Sequence, residues 1–168
     1  MSRSGSNLTD ISTLISDLRL NLRYSTSDNI LGRPLCHQSK ALLRSDAASA
    51  LALAANEFKA RGLNILVWDC VRSPEVQEQL LLVHASENYV RKRSNHCLGI
   101  AIDLTLCDTA GNDLDMGTDF DHFSPKAHLN SRTITTEQRA NRKLLRSVME
   151  RAGFTVWPYE WWHFDYLK

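Results

Sequence analysis

The 168-residue chain lacks several features that would assign it to other classes of protein. It has no run of the ~20 apolar residues that a membrane-spanning helix requires. Its formal net charge is only +1, without the basic excess typical of nucleic-acid-binding domains. It has four cysteines and no CxxC pair, so a disulfide framework is not expected. We therefore predict neither a nucleic-acid partner nor a membrane partner.

Location and domain count are predicted from the same composition. The first residues lack the apolar segment of a secretory signal, and the cysteines are interpreted as reduced thiols, which predicts a cytoplasmic protein. A mature periplasmic form without its signal would have the same pattern, so that location stays open. Length and an ordinary hydrophobic fraction of 43% predict a single domain over residues 1–168. The short basic run Arg91, Lys92 and Arg93 is interpreted as a solvated loop.

Apolar periodicity predicts three helices and two clear strands, the helices at residues 45–61, 74–82 and 136–152 and the strands at 63–69 and 100–106. A further strand is expected in the aromatic tail, residues 154–166. Ser45 is the expected N-cap of the first helix, and Gly62 is expected to end it. Helices and strands do not alternate regularly. This favours an α+β fold with a mainly antiparallel central sheet flanked by helices.

Two short segments carry residues suited to metal chemistry, the stretch Ser94–Asp103 and the tetrapeptide Glu160–His163. Together they offer two imidazoles and a carboxylate for a metal, and a second carboxylate for proton transfer. Three protein ligands and an open fourth position describe a catalytic zinc site better than a structural one. Asp103 shares its strand face with Ala101, whose small side chain leaves room for an ion and a substrate.

The spacing of these residues also makes demands on the backbone. Glu160 and His163 are three residues apart, and a regular strand would direct them to opposite faces, so a bend or a strand end is expected there. His96 precedes the strand, and a bend would bring it beside Asp103. Cys97 is expected to point away from His96 and to pack. The remaining histidines are predicted to be ordinary packed or surface residues: His37, His84, His122 and His128.

The ordered pattern SxHxxGxAxD followed by EWWH resembles the D-alanyl-D-alanine dipeptidases of the VanX type, within the zinc D,D-peptidases. The resemblance extends over most of the chain, through YSTSDNILG from Tyr24, WDCVR from Trp68 and DMGTDFD from Asp115. Cys70 and Val71 depart from the family pattern, and we expect them to reshape the pocket wall. The chain also ends soon after the second motif, which we expect to affect pocket opening or oligomerisation.

The resemblance implies the roles of five residues. One Zn²⁺ per chain would be held by His96, Asp103 and His163. Glu160 would act as the general base and later as the acid, and Arg72 would stabilise the developing oxyanion. Such a permanently charged guanidinium suits an oxygen that gains negative charge. The alternative for the arginine is a surface ion pair with Asp69 or Glu75.

The resemblance also implies a substrate and its contacts. Asp121 and Tyr24 would lie near the substrate's free ammonium group, and Ser94 would shape the pocket. The predicted reaction is hydrolysis of the small dipeptide D-Ala-D-Ala to two D-alanines. Two alternatives stay open: a D,D-carboxypeptidase or endopeptidase acting on peptidoglycan stem peptides, and a non-catalytic zinc-containing binding module. Neither the oligomeric state nor the biological role, whether nutrient salvage, cell-wall turnover or glycopeptide resistance, is indicated by the sequence.

Overall fold

The computed structural model of the chain describes residues 7–168, which contain seven β-strands and three α-helices. The strands are β1 (Leu8–Asp10), β2 (Arg19–Leu20), β3 (Leu42–Arg44), β4 (Leu63–Asp69), β5 (Ala101–Asp108), β6 (Thr155–Val156) and β7 (His163–Asp165). The helices are α1 (Ser45–Lys59), α2 (Pro74–His84) and α3 (Thr136–Arg151).

The larger sheet has five strands in the order β2-β4-β5-β7-β6. Strand β2 joins β4 in parallel, whereas the other three pairings are antiparallel. Strands β1 and β3 form a separate antiparallel pair. The predicted α+β fold with a mainly antiparallel sheet is therefore confirmed. Strand β5 lies at the centre of this sheet.

Most predicted elements occur where the sequence places them, with one correction at a helix start. Strand β4 has the predicted bounds, and α2 extends two residues beyond the predicted end. Gly62 and Gly153 follow their helices with φ of 74° and 101°, the left-handed geometry expected at these positions. The prediction that Ser45 caps α1 is wrong, because Arg44 occupies the N-cap position. The Ser45 hydroxyl instead donates to the carbonyl oxygen of Asn7 at 2.7 Å.

The core is built on both faces of β5. Ile102, Leu104 and Leu106 are completely buried, as predicted for the aliphatic face of the strand. Trp161 and Trp162 are also buried, and their rings meet edge to face with centroids 5.4 Å apart. Such aromatic pairs stabilise a fold beyond the area they bury. The tryptophans therefore hold the segment between β6 and β7 against the sheet.

No helix in residues 7–168 has both the length and the apolar character needed to cross a membrane. The expectation that residues 1–168 form one catalytic domain stays a prediction, as does the cytoplasmic location.

Candidate metal centre and active site

The pairing of β5 with β7 places the first two metal candidates side by side. Asp103 and His163 are direct partners in the antiparallel register. The Oδ1 atom of Asp103 lies 3.0 Å from Nδ1 of His163. Both residues are about 95% or more buried, with exposed fractions of 3% and 5%. Because directly opposed residues project to the same face of a sheet, the register itself positions this pair.

A short 3₁₀ helix, Asn95–Leu98, delivers His96 to the same place. The Ser94 hydroxyl caps this helix by accepting a hydrogen bond from the His96 backbone N–H at 3.3 Å. Gly99 ends the helix with φ of 70°, and a Cβ there would lie 2.9 Å from the side chain of Leu8. Only glycine adopts this conformation without strain and also fits the space. The predicted bend before β5 is confirmed.

Hydrogen bonds on the outer side of each imidazole fix which nitrogen carries the hydrogen when the ring is neutral, the form that binds a metal. Nδ1 of His96 lies 2.7 Å from the carbonyl oxygen of Cys70, which can only accept, so Nδ1 is the donor. Nε2 of His163 lies 3.0 Å from a carboxylate oxygen of Asp165 and donates to it. The remaining nitrogens, Nε2 of His96 and Nδ1 of His163, are 3.2 Å apart. Metal-binding histidines are held by outer partners of this kind.

The inner nitrogens of the two imidazoles and the Asp103 carboxylate converge on one place. The two nitrogens lie 3.2 Å apart, Oδ1 of Asp103 lies 3.0 Å from Nδ1 of His163, and Oδ2 lies 3.3 Å from Nε2 of His96. One ligand atom from each of the three residues lies within 4.8 Å of the others, and two imidazoles with a carboxylate are a donor set that suits a zinc ion. Burial alone would lower the pKa of His163, but hydrogen bonds to Asp103 and Asp165 raise it to about 10. The site therefore attracts positive charge.

Glu160 reaches the cluster from a turn between β6 and β7. The Glu160 N–H donates to the Trp157 carbonyl, and the Glu160 carbonyl accepts from the His163 N–H, both at 3.3 Å. His163 is the first residue of β7 and Glu160 lies in the turn before it, so both of the expected alternatives, a bend and a strand end, occur here. Oε2 of Glu160 lies 3.7 Å from Nδ1 of His163. Burial raises the pKa of Glu160 to about 8 in the protein without metal.

Arg72 lies beside the cluster, buried rather than on the surface. Its Nε and one Nη atom donate to the same Asp69 oxygen at 2.9 and 2.7 Å, and its other Nη donates to Gln77 at 2.7 Å. The guanidinium also lies 3.8 Å from Asp103. Burial alone would lower the pKa of Arg72, but the adjacent Asp69 raises it above its usual value. The ion pair with Asp69, considered as the alternative role, exists, but it is buried rather than on the surface and holds the guanidinium inside the site.

Tyr24 and Asp121 form a second polar unit at the cavity. The Tyr24 hydroxyl donates to both carboxylate oxygens of Asp121 at 3.1 Å. The Arg72 guanidinium lies 4.9 Å from the centre of the Tyr24 ring. Asp121 has φ of 56°, a left-handed conformation that aspartate tolerates better than most residues. Burial raises the pKa of Asp121 to about 7.

One cavity is lined by all eight predicted site residues: Tyr24, Arg72, Ser94, His96, Asp103, Asp121, Glu160 and His163. The structure therefore brings together residues that are up to 139 positions apart in sequence. Neither Cys70 nor Val71 lines this cavity, and Cys70 is fully buried. The expectation that these two departures reshape the pocket wall is therefore wrong. Cys70 acts instead through its backbone carbonyl, which accepts the hydrogen bond from Nδ1 of His96.

Sequence reasoning missed the residues that hold the site from outside. Asp165 follows His163 by two residues, and residues two apart in a strand share one face. This spacing could have predicted the contact between them. Asp69 ends β4, and Gln77 lies one turn into α2; neither has a local pattern that reveals its partner. The unassigned histidines pack as predicted where contacts are seen. His84, for example, stacks on a phenylalanine ring at 4.8 Å.

The solvated-loop interpretation of the basic run is wrong for one residue. Lys92 and Arg93 are exposed, but Arg91 is half-buried and lines the cavity. Its guanidinium lies 4.0 Å from the ring centre of Trp157. A cation stacked on an aromatic face is stabilised electrostatically, which explains why this arginine leaves the solvent.

Comparison with known proteins identifies relatives of this chain. The sequence profile described as D-ala-D-ala dipeptidase matches residues 4–168. The D-alanyl-D-alanine dipeptidase of Escherichia coli (strain K12) is 36% identical over 161 residues, covering 94% of this chain and 83% of the relative. That of Enterococcus faecalis (strain ATCC 700802 / V583) is 28% identical over 182 residues, covering 92% and 88%. A solved vancomycin resistance D,D-dipeptidase, VanXYg with a D-Ala-D-Ala phosphinate analogue, is 24% identical with a TM-score of 0.46, covering 76% of this chain and 51% of that one. The profile match and the Escherichia coli relative show that the chain belongs to the D-Ala-D-Ala dipeptidase family of metallopeptidases.

Proposed function

We propose that this protein is a zinc-dependent dipeptidase that hydrolyses D-Ala-D-Ala to two D-alanines. One observation carries the zinc assignment: two imidazoles, each hydrogen-bonded on its outer nitrogen, direct their inner nitrogens toward one carboxylate. His96, Asp103 and His163 would hold one zinc ion per chain. When bound, zinc polarises the scissile carbonyl and lowers the pKa of water toward ~7.

Glu160 is the proposed general base. Its carboxylate borders the metal ligands, 3.7 Å from His163, and it is 7% exposed. Burial is the main cause that raises its pKa to about 8. A neighbouring dication favours the ionised form and therefore lowers that pKa. A carboxylate so placed can accept a proton from water and deliver it to the leaving amine.

Arg72 is the proposed oxyanion-stabilising group. Its position is fixed on two sides, by Asp69 and by Gln77, so little reorganisation is needed during the reaction. Preorganised donors of this kind typically contribute ~100-fold or more to the rate. Because a guanidinium stays protonated at all relevant pH values, its contribution would not titrate with the enzyme.

The Tyr24–Asp121 unit is the proposed binding site for the substrate's ammonium group. A free dipeptide carries a positive charge at its N-terminus, and a buried carboxylate compensates that charge. Binding an ammonium would favour ionised Asp121, whose pKa burial raises to about 7 in the free protein. Ser94 lines the cavity and caps the helix that carries His96, so its role in shaping the pocket is through that helix.

A direct assay tests the proposal. The zinc-loaded protein is incubated with D-Ala-D-Ala and, separately, with L-Ala-L-Ala. Free alanine of either configuration is quantified, and Glu160→Ala protein is the control. Turnover of the D,D-dipeptide alone supports the proposal. The proposal fails if wild-type protein releases no more D-alanine than the variant. A preference for N-acetyl-D-Ala-D-Ala over the free dipeptide would instead favour a D,D-carboxypeptidase.

A further inference from the structure

The guanidinium groups of Arg72 and Arg91 both line the cavity, but only that of Arg72 is hydrogen-bonded to other side chains in the part of the chain that the structure describes. The donors of Arg72 are directed to Asp69 and Gln77. Arg91 has no carboxylate within ion-pair distance among residues 7–168, and its side chain lies over Trp157 instead. An unpaired cation half-buried at the edge of an active site remains able to bind an anion.

Arg91 is also tied to the site at both its backbone and its side chain. Its carbonyl accepts a hydrogen bond from Nε2 of Gln77 at 2.7 Å, and the oxygen of the same amide accepts from Arg72. Trp157, on which the guanidinium stacks, donates its backbone N–H to the His163 carbonyl at 2.9 Å. The Trp157 indole is fixed by its N–H bond to the carbonyl of Asn88 at 2.7 Å. The Arg91 cation is therefore positioned through groups that themselves contact the site.

The substrate proposed above presents one charge that these assignments leave uncompensated. A free dipeptide has an ammonium group, a scissile amide and a terminal carboxylate. Asp121 would bind the ammonium group, and the metal site with Arg72 would bind the scissile amide. Enclosing the carboxylate without a partner would be strongly unfavourable. The planar fork of an arginine can bind a carboxylate through two parallel hydrogen bonds.

We propose that Arg91 binds the C-terminal carboxylate of the substrate and restricts the enzyme to substrates that end at the residue released. This inference rests on the proposed function and adds a specificity-determining residue to it. A substrate whose second D-alanine continues into a further residue would lack the charge that Arg91 recognises. Arg91 therefore disfavours endopeptidase activity, whereas both a dipeptide and a stem peptide ending in D-Ala-D-Ala keep the carboxylate.

The kinetic test compares D-Ala-D-Ala with its C-terminal amide, D-Ala-D-Ala-NH₂, in wild-type and Arg91→Gln protein. Because charge-assisted hydrogen bonds to carboxylates are strong, we expect kcat/KM for the acid to fall ~10- to 100-fold in the variant. The amide should change less than ~2-fold, since it lacks the charge on which the bond depends. Lys92→Gln is the matched control, since it removes the same charge from an exposed neighbour outside the cavity. It should leave the acid-to-amide ratio unchanged.

A binding measurement separates this inference from the proposed function. Dissociation constants of the acid and the amide are measured by calorimetry on zinc-loaded Glu160→Gln protein, with and without Arg91→Gln. The inference is overturned if Arg91→Gln leaves the ratio of the two dissociation constants unchanged, whether both compounds bind as before or both weaken equally. If wild-type protein hydrolyses neither compound, the proposed function fails. The binding ratio then still decides whether Arg91 recognises a carboxylate, and tight binding of the acid alone supports it.

Discussion

Replacing Asp165 with asparagine tests how the protein prepares His163 to bind a metal. Asp165 is buried on β7, and its carboxylate accepts the outer N–H of His163 at 3.0 Å. This bond keeps hydrogen on Nε2 and leaves Nδ1 directed toward Asp103. Asparagine has the same shape and can still accept the bond through its amide oxygen, but it has no charge. The substitution therefore isolates the electrostatic part of the contact.

The expected magnitude follows from the strength of the two kinds of hydrogen bond. A bond to a charged group contributes ~1.5–3 kcal/mol and a neutral one ~0.5–1.5 kcal/mol, so Asp165→Asn should lose about 1–1.5 kcal/mol. That corresponds to a zinc affinity about 10-fold weaker. Asp165→Ala removes orientation as well as charge, and its affinity should be about 100-fold weaker, the upper end for outer-partner substitutions.

The assay is a competition titration of zinc between each variant and a chelator of known affinity, at fixed pH. Far-ultraviolet circular dichroism establishes that the variants are folded. Asp17→Asn is the matched control, because it removes one carboxylate that pairs with Lys59 on the surface. Zinc affinities for Asp165→Asn and Asp165→Ala within 2-fold of wild type would refute the role given to this hydrogen bond.

Three further outcomes are expected. Glu160→Gln should bind zinc as wild type does but lose ~100-fold or more in kcat, measured by D-alanine release, because a neutral amide cannot accept the proton. Burial raises the pKa of Asp121 from 3.8 to about 7, so the folded protein binds the extra proton; in metal-free protein the free energy of unfolding should fall as pH rises from about 4 to 7. In urea titrations at several pH values, the free energy of unfolding of Asp121→Asn should depend less on pH than that of wild type. The same pH dependence in both proteins would contradict the raised pKa of Asp121. Gly99→Ala should destabilise the protein by ~1 kcal/mol or more beyond Gly32→Ala in urea titrations, since both glycines have positive φ but a Cβ at Gly32 has no atom within 4 Å.

The sequence was sufficient to predict the architecture because its elements carry strong local signals. The apolar run of β4 and the alternation in β5 each specify a strand, and the amphipathic repeat of α3 specifies a helix. The cap of α1 was less predictable. Ser45 is a favourable N-cap residue by type, but its hydroxyl bonds to Asn7, a partner 38 residues away that no local pattern reveals.

The candidate site was predictable in its residue types and only partly in its geometry. Neighbouring residues with opposite strand parity, Glu160 and His163, indicated a bend, and the turn before β7 provides it. Partners that lie on other elements could not be read from spacing. Asp69 and Gln77 meet Arg72 only after β4 and α2 have packed. The position of Arg91 in the cavity could not be read from the sequence, because the two basic residues that follow it are exposed.

Because the strands at the C-terminal edge of the sheet are short, a metal bound at the site would also affect the stability of this edge. Strands β6 and β7 contain two and three residues, whereas His96 and His163 lie 67 positions apart in sequence. A metal shared by these histidines would act as a cross-link that closes this long loop, and such closures stabilise a fold by restricting its unfolded chain. Chelation should therefore loosen the terminal hairpin before the rest of the sheet, with faster amide exchange there. The same ion would then serve both catalysis and stability. A Glu160→Gln variant, which loses only the general base, should therefore keep the wild-type melting temperature.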